Sequence, residues 1–253
     1  MADEGKTALK ARKWWKNLDF ANKLHFVRNK IVEAYFWALA SLFEPEYHFA
    51  RILLCKCVAL TTVLDDVYNV YGTYEELEHF TEAIERWDIS AVDQLQLPEC
   101  MEVCYKGLLD SYSGYEEKLA DEGNLYRIEY AKEAIVKATA LIGRLLNDIA
   151  GHKFEQTNEQ CATSVECYMN QYGVGEEEAK IELTKQKEAA WKDLNQEWLD
   201  LHSSNSIPNP LLQIILNLAC SSEVLYNNME GFTNSETGHK GFIYSLLVEP
   251  VPV

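Results

Sequence analysis

Apolar side chains along this chain recur mainly at steps of three and four residues, the period of a helix with one buried face. The period is clear over Phe20–Phe43 and over Ala50–Tyr71, and the second segment is apolar enough to predict a buried central helix. Thr73 and Glu76 have the spacing of a capping box, which predicts a shorter helix that ends near Arg86. No alternating strand pattern stands out, so the chain is predicted to be an all-α bundle.

The stretch from Tyr126 to Phe154 carries an unusually regular apolar seam. It contains no proline, and isoleucines are spaced seven residues apart in it, at Ile128, Ile135, Ile142 and Ile149. Such a seam is typical of one long helix, so we predict a single helix over roughly 126–154. Further helices are predicted from Pro98 to about Ala120, over Glu176–His202 and after Pro210.

Glycine (12) and proline (6) are scarce for a chain of 253 residues, which favours long helices over a fold with many turns. Lysine and arginine total 23 against 40 acidic residues, a net charge of −17. A nucleic-acid partner is not expected, because its phosphates must be neutralised by protein cations. The first 30 residues are nevertheless basic. An acidic chain that handles an anionic substrate needs metal ions as a bridge.

The seven cysteines are odd in number and show no C-x-x-C spacing, which indicates mostly buried, reduced thiols rather than disulfides or a zinc site. No run of 18 apolar residues exists, so no membrane span is expected. The first residues also lack the apolar core of a signal peptide. Together these features predict a cytoplasmic protein.

Two adjacent carboxylates, Asp65 and Asp66, follow the apolar body of the predicted central helix. Asp65 and Asn69 are four residues apart and therefore share one helix face. Carboxylates at the rim of a buried helix are costly unless they are paired or bind a metal. A solvated helix end explains the same residues equally well, so this cluster alone leaves both interpretations open.

A second cluster lies on the long predicted helix, where Asn147, Gly151 and Glu155 are spaced by four residues and Arg144 precedes them by one turn. An amide oxygen and a carboxylate two turns apart suit a hard cation such as Mg²⁺, which takes oxygen ligands. A polar helix surface is the alternative interpretation here too. The six histidines show no spacing typical of a metal site.

The two clusters predict more together than either does alone. Two helices with oxygen-rich ends and apolar bodies can hold Mg²⁺ ions that grip a diphosphate. Arg28, Lys30 and Arg144 would share the charge of that diphosphate. The aromatic face of Trp37 would stabilise a carbocation left when the diphosphate departs.

Several long strings resemble the C-terminal catalytic domain of plant class I terpene synthases, most closely the sesquiterpene cyclases. The matching strings are RKWWKNLDFANKL, VEAYFWAL, FEPEY, LDDVYNVYGTYEELEHFTEAIERWD, RLLNDIAGHKFEQ, SVECYMNQYG and AWKDLNQEWL. They run in order through nearly the whole chain. The resemblance implies a lyase of plant secondary metabolism, with one all-α domain over residues 1–253 around an apolar pocket. It also implies three Mg²⁺ ions, with Mn²⁺ as an alternative, and a prenyl diphosphate, usually farnesyl diphosphate, that is cyclised to a sesquiterpene.

The resemblance further implies roles for individual residues. The metal ligands it implies are Asp65, Asp66, Asn69, Asn147, Gly151 and Glu155. The catalytic residues it implies are the diphosphate-binding Arg28 and Arg144 and the pocket-lining Trp37. Lys30 and Lys153 complete the predicted substrate-binding set. The chain departs from the family pattern at three of these positions. The family has Asp where this chain has Asn69, Ser or Thr where it has Gly151, and Arg where it has Lys30.

Two larger departures concern whole segments. The helical N-terminal domain of the family is expected to be absent. Several tens of residues that form pocket-lining helices in the family are missing between Ala134 and Ile135, so the helix over 126–154 would join two family helices. An open pocket admits water, which quenches a carbocation. The alternative to an active cyclase is therefore a catalytically inactive form that serves as a helical dimerisation or interaction module, for instance as a homodimer.

Overall fold

The computed structural model describes residues 2–121, 134–157, 163–204, 209–226, 231–232 and 239–247. Its secondary structure within these ranges is helical and includes no strand, which confirms the predicted all-α class. The chain divides into two compact units, one formed by residues 1–38 and 44–126 and the other by residues 39–43 and 127–253.

The first unit is organised around one long apolar helix, α4. The helices that begin in this unit are α1 (Ala2–Leu18), α2 (Phe20–Lys23), α3 (Ile31–Ser41), α4 (His48–Asp66), α5 (Tyr74–Arg86), α6 (Ala91–Leu95) and α7 (Glu99–Asp121). Helix α4 packs against α1 and α7. Its inward face carries Cys55, Ala59 and Val63, which are buried at successive steps of four residues. A π-helical turn, Val67–Tyr71, continues α4, so the predicted segment Ala50–Tyr71 is helical throughout.

Within the 22-residue segment Pro45–Asp66, an 18-residue window has a mean hydropathy of 1.4, as a membrane-crossing helix also shows, and 33% of that window is buried. Inside it, Arg51 is fully buried and donates from Nη1 to the carbonyl oxygen of Glu44 at 2.8 Å. Because this segment contains the helix that packs against α1 and α7, we interpret it as the core helix of its unit. That the chain has no membrane span stays a prediction.

The structure interrupts the helical period that the sequence predicted over Phe20–Phe43. Residues 24–30 are irregular between α2 and α3. Leu24 is fully buried there, and the backbone N–H of Arg28 donates to a carboxylate of Asp66 at 2.8 Å instead of to a helical carbonyl. A continuous helix over this stretch is therefore wrong, because the backbone is drawn to a partner on another helix.

The predicted capping box at the start of α5 is confirmed. The Oγ1 atom of Thr73 accepts the backbone N–H of Glu76 at 3.4 Å, and the Oε2 atom of Glu76 accepts the backbone N–H of Thr73 at 2.9 Å. Two of the N–H groups at this helix end thereby gain partners. The helix ends at Arg86, as predicted.

The second unit contains the long helix that the isoleucine seam predicted. Its helices are α8 (Ala134–Thr157), α9 (Ser164–Tyr172), α10 (Glu176–Ser204), α11 (Asn209–Tyr226) and α12 (Lys240–Leu247). Helix α8 packs against α10 and α11, and it buries Ile142 and Leu145. The predicted helix over 126–154 is thus confirmed from Ala134 onward, while residues 126–133 lie outside the described residues.

The cysteines that the structure describes are all free thiols, as predicted. Cys55, Cys100 and Cys104 are buried in the first unit. Cys167 and Cys220 are exposed, so the expectation of buried thiols is wrong for these two. Cys161 lies outside the described residues.

Candidate functional site

The first candidate cluster lies in the first unit, where α4 ends. Asp65 and Asp66 are its last two residues, and they differ sharply in exposure: the side chain of Asp65 is 40% exposed and that of Asp66 is 2% exposed. Consecutive residues of a helix point about 100° apart, so one carboxylate faces solvent while its neighbour faces the interior. The backbone of Asn69 lies in the following π-helical turn, and its side chain lies outside the described residues.

Arg28 connects both carboxylates. Its Nε donates to Oδ1 of Asp66 at 2.6 Å, and its backbone N–H donates to Oδ2 of the same carboxylate at 2.8 Å. Its Nη2 donates to Oδ2 of Asp65 at 2.8 Å. The structure therefore brings together three of the residues that the sequence singled out, and it orders the irregular segment before α3 around the two aspartates.

The charges of this cluster depend on one another. Burial raises the pKa of Asp66 above its ordinary value, although the hydrogen bonds and the positive charge of Arg28 act in the opposite direction. Burial alone would lower the pKa of Arg28, but the charges of Asp66 and Asp65 outweigh it and raise that pKa. The guanidinium thus stays charged and compensates a carboxylate that is buried.

The two other predicted residues of this unit lie on α3. Lys30 immediately precedes the helix, and its ammonium group pairs with Oε1 of Glu33 at 3.1 Å. Trp37 is half-buried in the middle of α3. Their roles in binding a substrate stay predictions.

The second candidate cluster lies in the second unit, on α8. Arg144 is 59% exposed, Asn147 is half-buried and Gly151 is buried. Arg144 and Gly151 fall on nearly the same side of the helix, with Asn147 beside them. Lys153 and Glu155 belong to the same helix, but their side chains lie outside the described residues.

Sequence reasoning missed two residues of α8, Asp148 and His152, which are both fully buried. Oδ2 of Asp148 accepts the backbone N–H of Ser164 at 2.9 Å and also the Ser164 hydroxyl. Nδ1 of His152 lies 2.8 Å from Oγ1 of Thr163. Their spacing of four residues was the available signal, since it places both on one helix face.

An open cleft of about 500 Å³ lies beside these residues in the second unit. It is lined by Arg144 and Asp148 of α8, by Ser164, Cys167, Tyr168, Gln171 and Tyr172 of α9, and by Gln186 of α10. The rings of Tyr168 and Tyr172 lie 4.4 Å apart along its α9 side. The exposed guanidinium of Arg144 is the cationic group of this lining.

The donor chemistry of the predicted ligands suits a hard divalent cation. Asp65 and Asp66 offer carboxylate oxygens, and Asn147 offers an amide oxygen, which are the ligand types that Mg²⁺ takes. Among the side chains that the structure describes, no group of three or more histidine, cysteine, aspartate or glutamate residues is arranged around one point. The residues at the end of α4 therefore fit a metal that also draws ligands from elsewhere, such as water or substrate oxygens.

Comparisons with known proteins identify what this chain resembles. The sequence model of the terpene synthase family, metal binding domain, matches residues 16–136 and 131–193. The chain is 40% identical to (-)-germacrene D synthase of Vitis vinifera, over 95% of this chain and 54% of that protein. It is 37% identical to sesquiterpene synthase 2 of Toona sinensis, again over 95% of this chain and 54% of that protein.

Solved structures share the fold at lower identity. Limonene synthase with 2-fluorolinalyl diphosphate has a TM-score of 0.82 and 24% identity, over 98% of this chain and 57% of that chain. Isoprene synthase from grey poplar leaves, in complex with three Mg²⁺ ions and dimethylallyl-S-thiolodiphosphate, has a TM-score of 0.77 and 24% identity, over 98% of this chain and 59% of that chain.

The alignments also bear on the predicted internal deletion. The chain spans about half the length of the curated relatives it matches. Its alignment with the germacrene D synthase runs over 304 positions, whereas 95% of 253 residues is about 240, so about 60 positions of the relative have no counterpart here. The two family matches overlap at residues 131–136, which agrees with a deletion between Ala134 and Ile135.

Proposed function

Because the chain belongs to the terpene synthase family, we propose that it ionises a prenyl diphosphate and cyclises it to a sesquiterpene with the help of Mg²⁺. Farnesyl diphosphate is the first candidate substrate, since relatives that align with most of this chain are named sesquiterpene synthases. The observation that carries the proposal is the contact of Arg28 with both Asp65 and Asp66 at the end of α4.

The proposed metal ligands of the first unit are Asp65, Asp66 and Asn69, and those of the second unit are Asn147, Gly151 (through a water) and Glu155. A bound divalent cation would neutralise the diphosphate and make it a better leaving group. Asp65 is the more accessible carboxylate, because Asp66 is almost fully buried.

The remaining proposed roles belong to cationic and aromatic side chains. Arg28 and Arg144 are proposed to donate hydrogen bonds to diphosphate oxygens, for which a planar guanidinium is well shaped. Lys30 and Lys153 are proposed to add positive charge. Trp37 is proposed to offer an aromatic face to the developing carbocation. The walls of the pocket would exclude water from that cation.

The test is turnover of farnesyl diphosphate by the purified full chain with Mg²⁺, with products identified by gas chromatography and mass spectrometry. We expect a Mg²⁺-dependent terpene that disappears with EDTA and with Asp65→Ala. Asp93→Ala is the matched control, because Asp93 is an exposed aspartate of α6 outside both clusters, and it is expected to leave turnover unchanged. Retained turnover in Asp65→Ala would contradict the proposed metal site.

A second candidate function is a catalytically inactive helical module, acting for instance as a homodimer. It is favoured by the internal gap of about 60 positions relative to the germacrene D synthase. No product from a chain with an intact helical circular dichroism spectrum, together with a dimer mass in sedimentation, would support this alternative. A cytoplasmic location is proposed for either function, and microscopy of a tagged chain tests it.

A further inference from the structure

The start of α9 is held by two fully buried polar side chains of α8. Asp148 and His152 lie one turn apart on α8, and their partners, Ser164 and Thr163, are the first residue of α9 and the residue before it. Buried polar groups of this kind are nearly always hydrogen-bonded, because an unpaired one is costly. Here both bonds join the same two helices at the same end.

The two oxygens of Asp148 have different partners. Oδ2 accepts the backbone N–H of Ser164 at 2.9 Å together with the hydroxyl of the same residue. Oδ1 lies 3.0 Å from Nε of Arg144, which makes an ion pair by distance, but the N–H group is not directed at this oxygen. A single buried carboxylate thus contacts both the start of α9 and the exposed arginine that lines the cleft.

His152 supplies a second and independent connection. Its Nδ1 lies 2.8 Å from Oγ1 of Thr163, and the same oxygen accepts the backbone N–H of Glu166 at 3.2 Å, which caps α9. The apolar side chains of Leu145 and Val165 pack together beside this contact. Helix α9 therefore keeps an anchor on α8 even when the contact with Asp148 is altered.

We propose that Asp148 is a positioning residue, whose buried negative charge holds the guanidinium of Arg144 at the cleft, where it meets an anionic ligand. The proposal rests on the proposed function, in which Arg144 binds diphosphate. A charge pair of this kind restrains where the guanidinium lies and does not use up its N–H donors, because none of them makes a hydrogen bond to Oδ1. Asp148 itself is fully buried, so it is proposed to act through Arg144.

The test measures binding of inorganic pyrophosphate with Mg²⁺ to the full chain by isothermal titration calorimetry. Asp148→Asn keeps an oxygen that accepts the N–H of Ser164 but removes the charge that holds Arg144. We expect about a tenfold loss of affinity, the lower end of what is found for residues that orient metal ligands. Ser164→Ala is the matched control. It removes a hydroxyl from the same carboxylate and leaves the contact with Arg144, so its affinity should stay within about twofold of the wild type.

A mutant cycle distinguishes positioning from general loosening of the fold. In an Arg144→Leu background, Asp148→Asn should have no further effect, because it acts through the missing arginine. If Asp148→Asn does not fold, Asp148→Ser serves instead, since it also removes the negative charge beside Arg144 and leaves the arginine itself unchanged, and it should show the same tenfold loss. If an Asp148 variant that folds binds pyrophosphate as tightly as the wild type does, the inference is overturned while the proposed function stands. A wild type that binds no pyrophosphate and forms no terpene would overturn the proposed function and the inference with it.

Discussion

Asp66 is expected to stabilise the ligand-free chain much more than Asp65 does, although both are proposed metal ligands. Asp66 accepts bonds from the side chain and the backbone of Arg28, at 2.6 and 2.8 Å, and it is 2% exposed. Asp65 accepts a bond from the Arg28 side chain at 2.8 Å and is 40% exposed. Asp66→Ala therefore takes the buried acceptors away from Arg28, whereas Asp65→Ala leaves them in place.

The size of the difference follows from burial. Removing one partner of a buried ion pair costs about 3–5 kcal/mol, because the other charge is left without compensation. Arg28 is 32% exposed and keeps its bond to Asp65, so we expect a loss of about 2–3 kcal/mol for Asp66→Ala. A solvent-exposed ion pair contributes about 0.2–1 kcal/mol, so Asp65→Ala should cost less than about 1 kcal/mol.

Both free energies of unfolding are measured by urea titration of the full chain, with circular dichroism as the readout. EDTA is present so that bound metal does not contribute. Asp66→Asn adds a useful comparison, because its amide oxygen still accepts one bond while the buried charge is gone; its loss should fall below that of Asp66→Ala. Equal losses for Asp65→Ala and Asp66→Ala, or an unchanged free energy of unfolding for Asp66→Ala, would refute the reasoning.

Four further predictions concern the cysteines, the cap of α5 and Gly173. Burial raises the pKa of Cys55 and Cys104 from about 9 to about 12. The free energy of unfolding that these two neutral thiols contribute is therefore fully present below pH 9 and is lost as the pH rises toward 12. At pH 8 a thiol reagent should label exposed Cys167 in the folded chain and reach the two buried thiols only after urea is added; immediate labelling of all three would contradict their burial. Thr73→Ala should lower the free energy of unfolding by about 1 kcal/mol in urea titrations, because it removes the cap of α5, and no change would mean that the cap is dispensable. Gly173 has φ of +67°, and no atom of the described residues lies within 4 Å of an added Cβ, so Gly173→Ala should cost about 1 kcal/mol from backbone strain; a stabilised variant would contradict that geometry.

The elements that the sequence predicts well are those whose determinants are close together along the chain. The capping box needs only Thr73 and Glu76, three residues apart, and the structure forms both of its bonds. The seam on α8 is likewise local, because a period of seven keeps Ile142 and Ile149 on one side of a helix. The strings that match the family occur in the family's order along the chain, and they imply the same all-α class of fold as the helical period does.

The parts that the sequence does not predict depend on contacts between distant residues. Arg28 and Asp66 are 38 positions apart, and no local spacing indicates that the backbone before α3 bends to make this contact. The burial of Asp148 is not predicted from the sequence for a related reason. The spacing of Asn147 and Gly151 directs attention to one face of α8, whereas the burial of Asp148 depends on α9.

In each unit an arginine that is proposed to bind diphosphate is paired with a more deeply buried aspartate. Asp66 holds Arg28, and Asp148 pairs with Arg144, which is 59% exposed. A chain with a net charge of −17 has few cations to offer an anionic substrate, so the orientation of each one matters. A buried carboxylate restrains a guanidinium from the protein side, although Arg28 also pairs with Asp65, whose side chain is 40% exposed. The acidic residues of the two clusters are therefore not equivalent: Asp66 and Asp148 orient arginines, and Asp65 is the carboxylate that faces solvent.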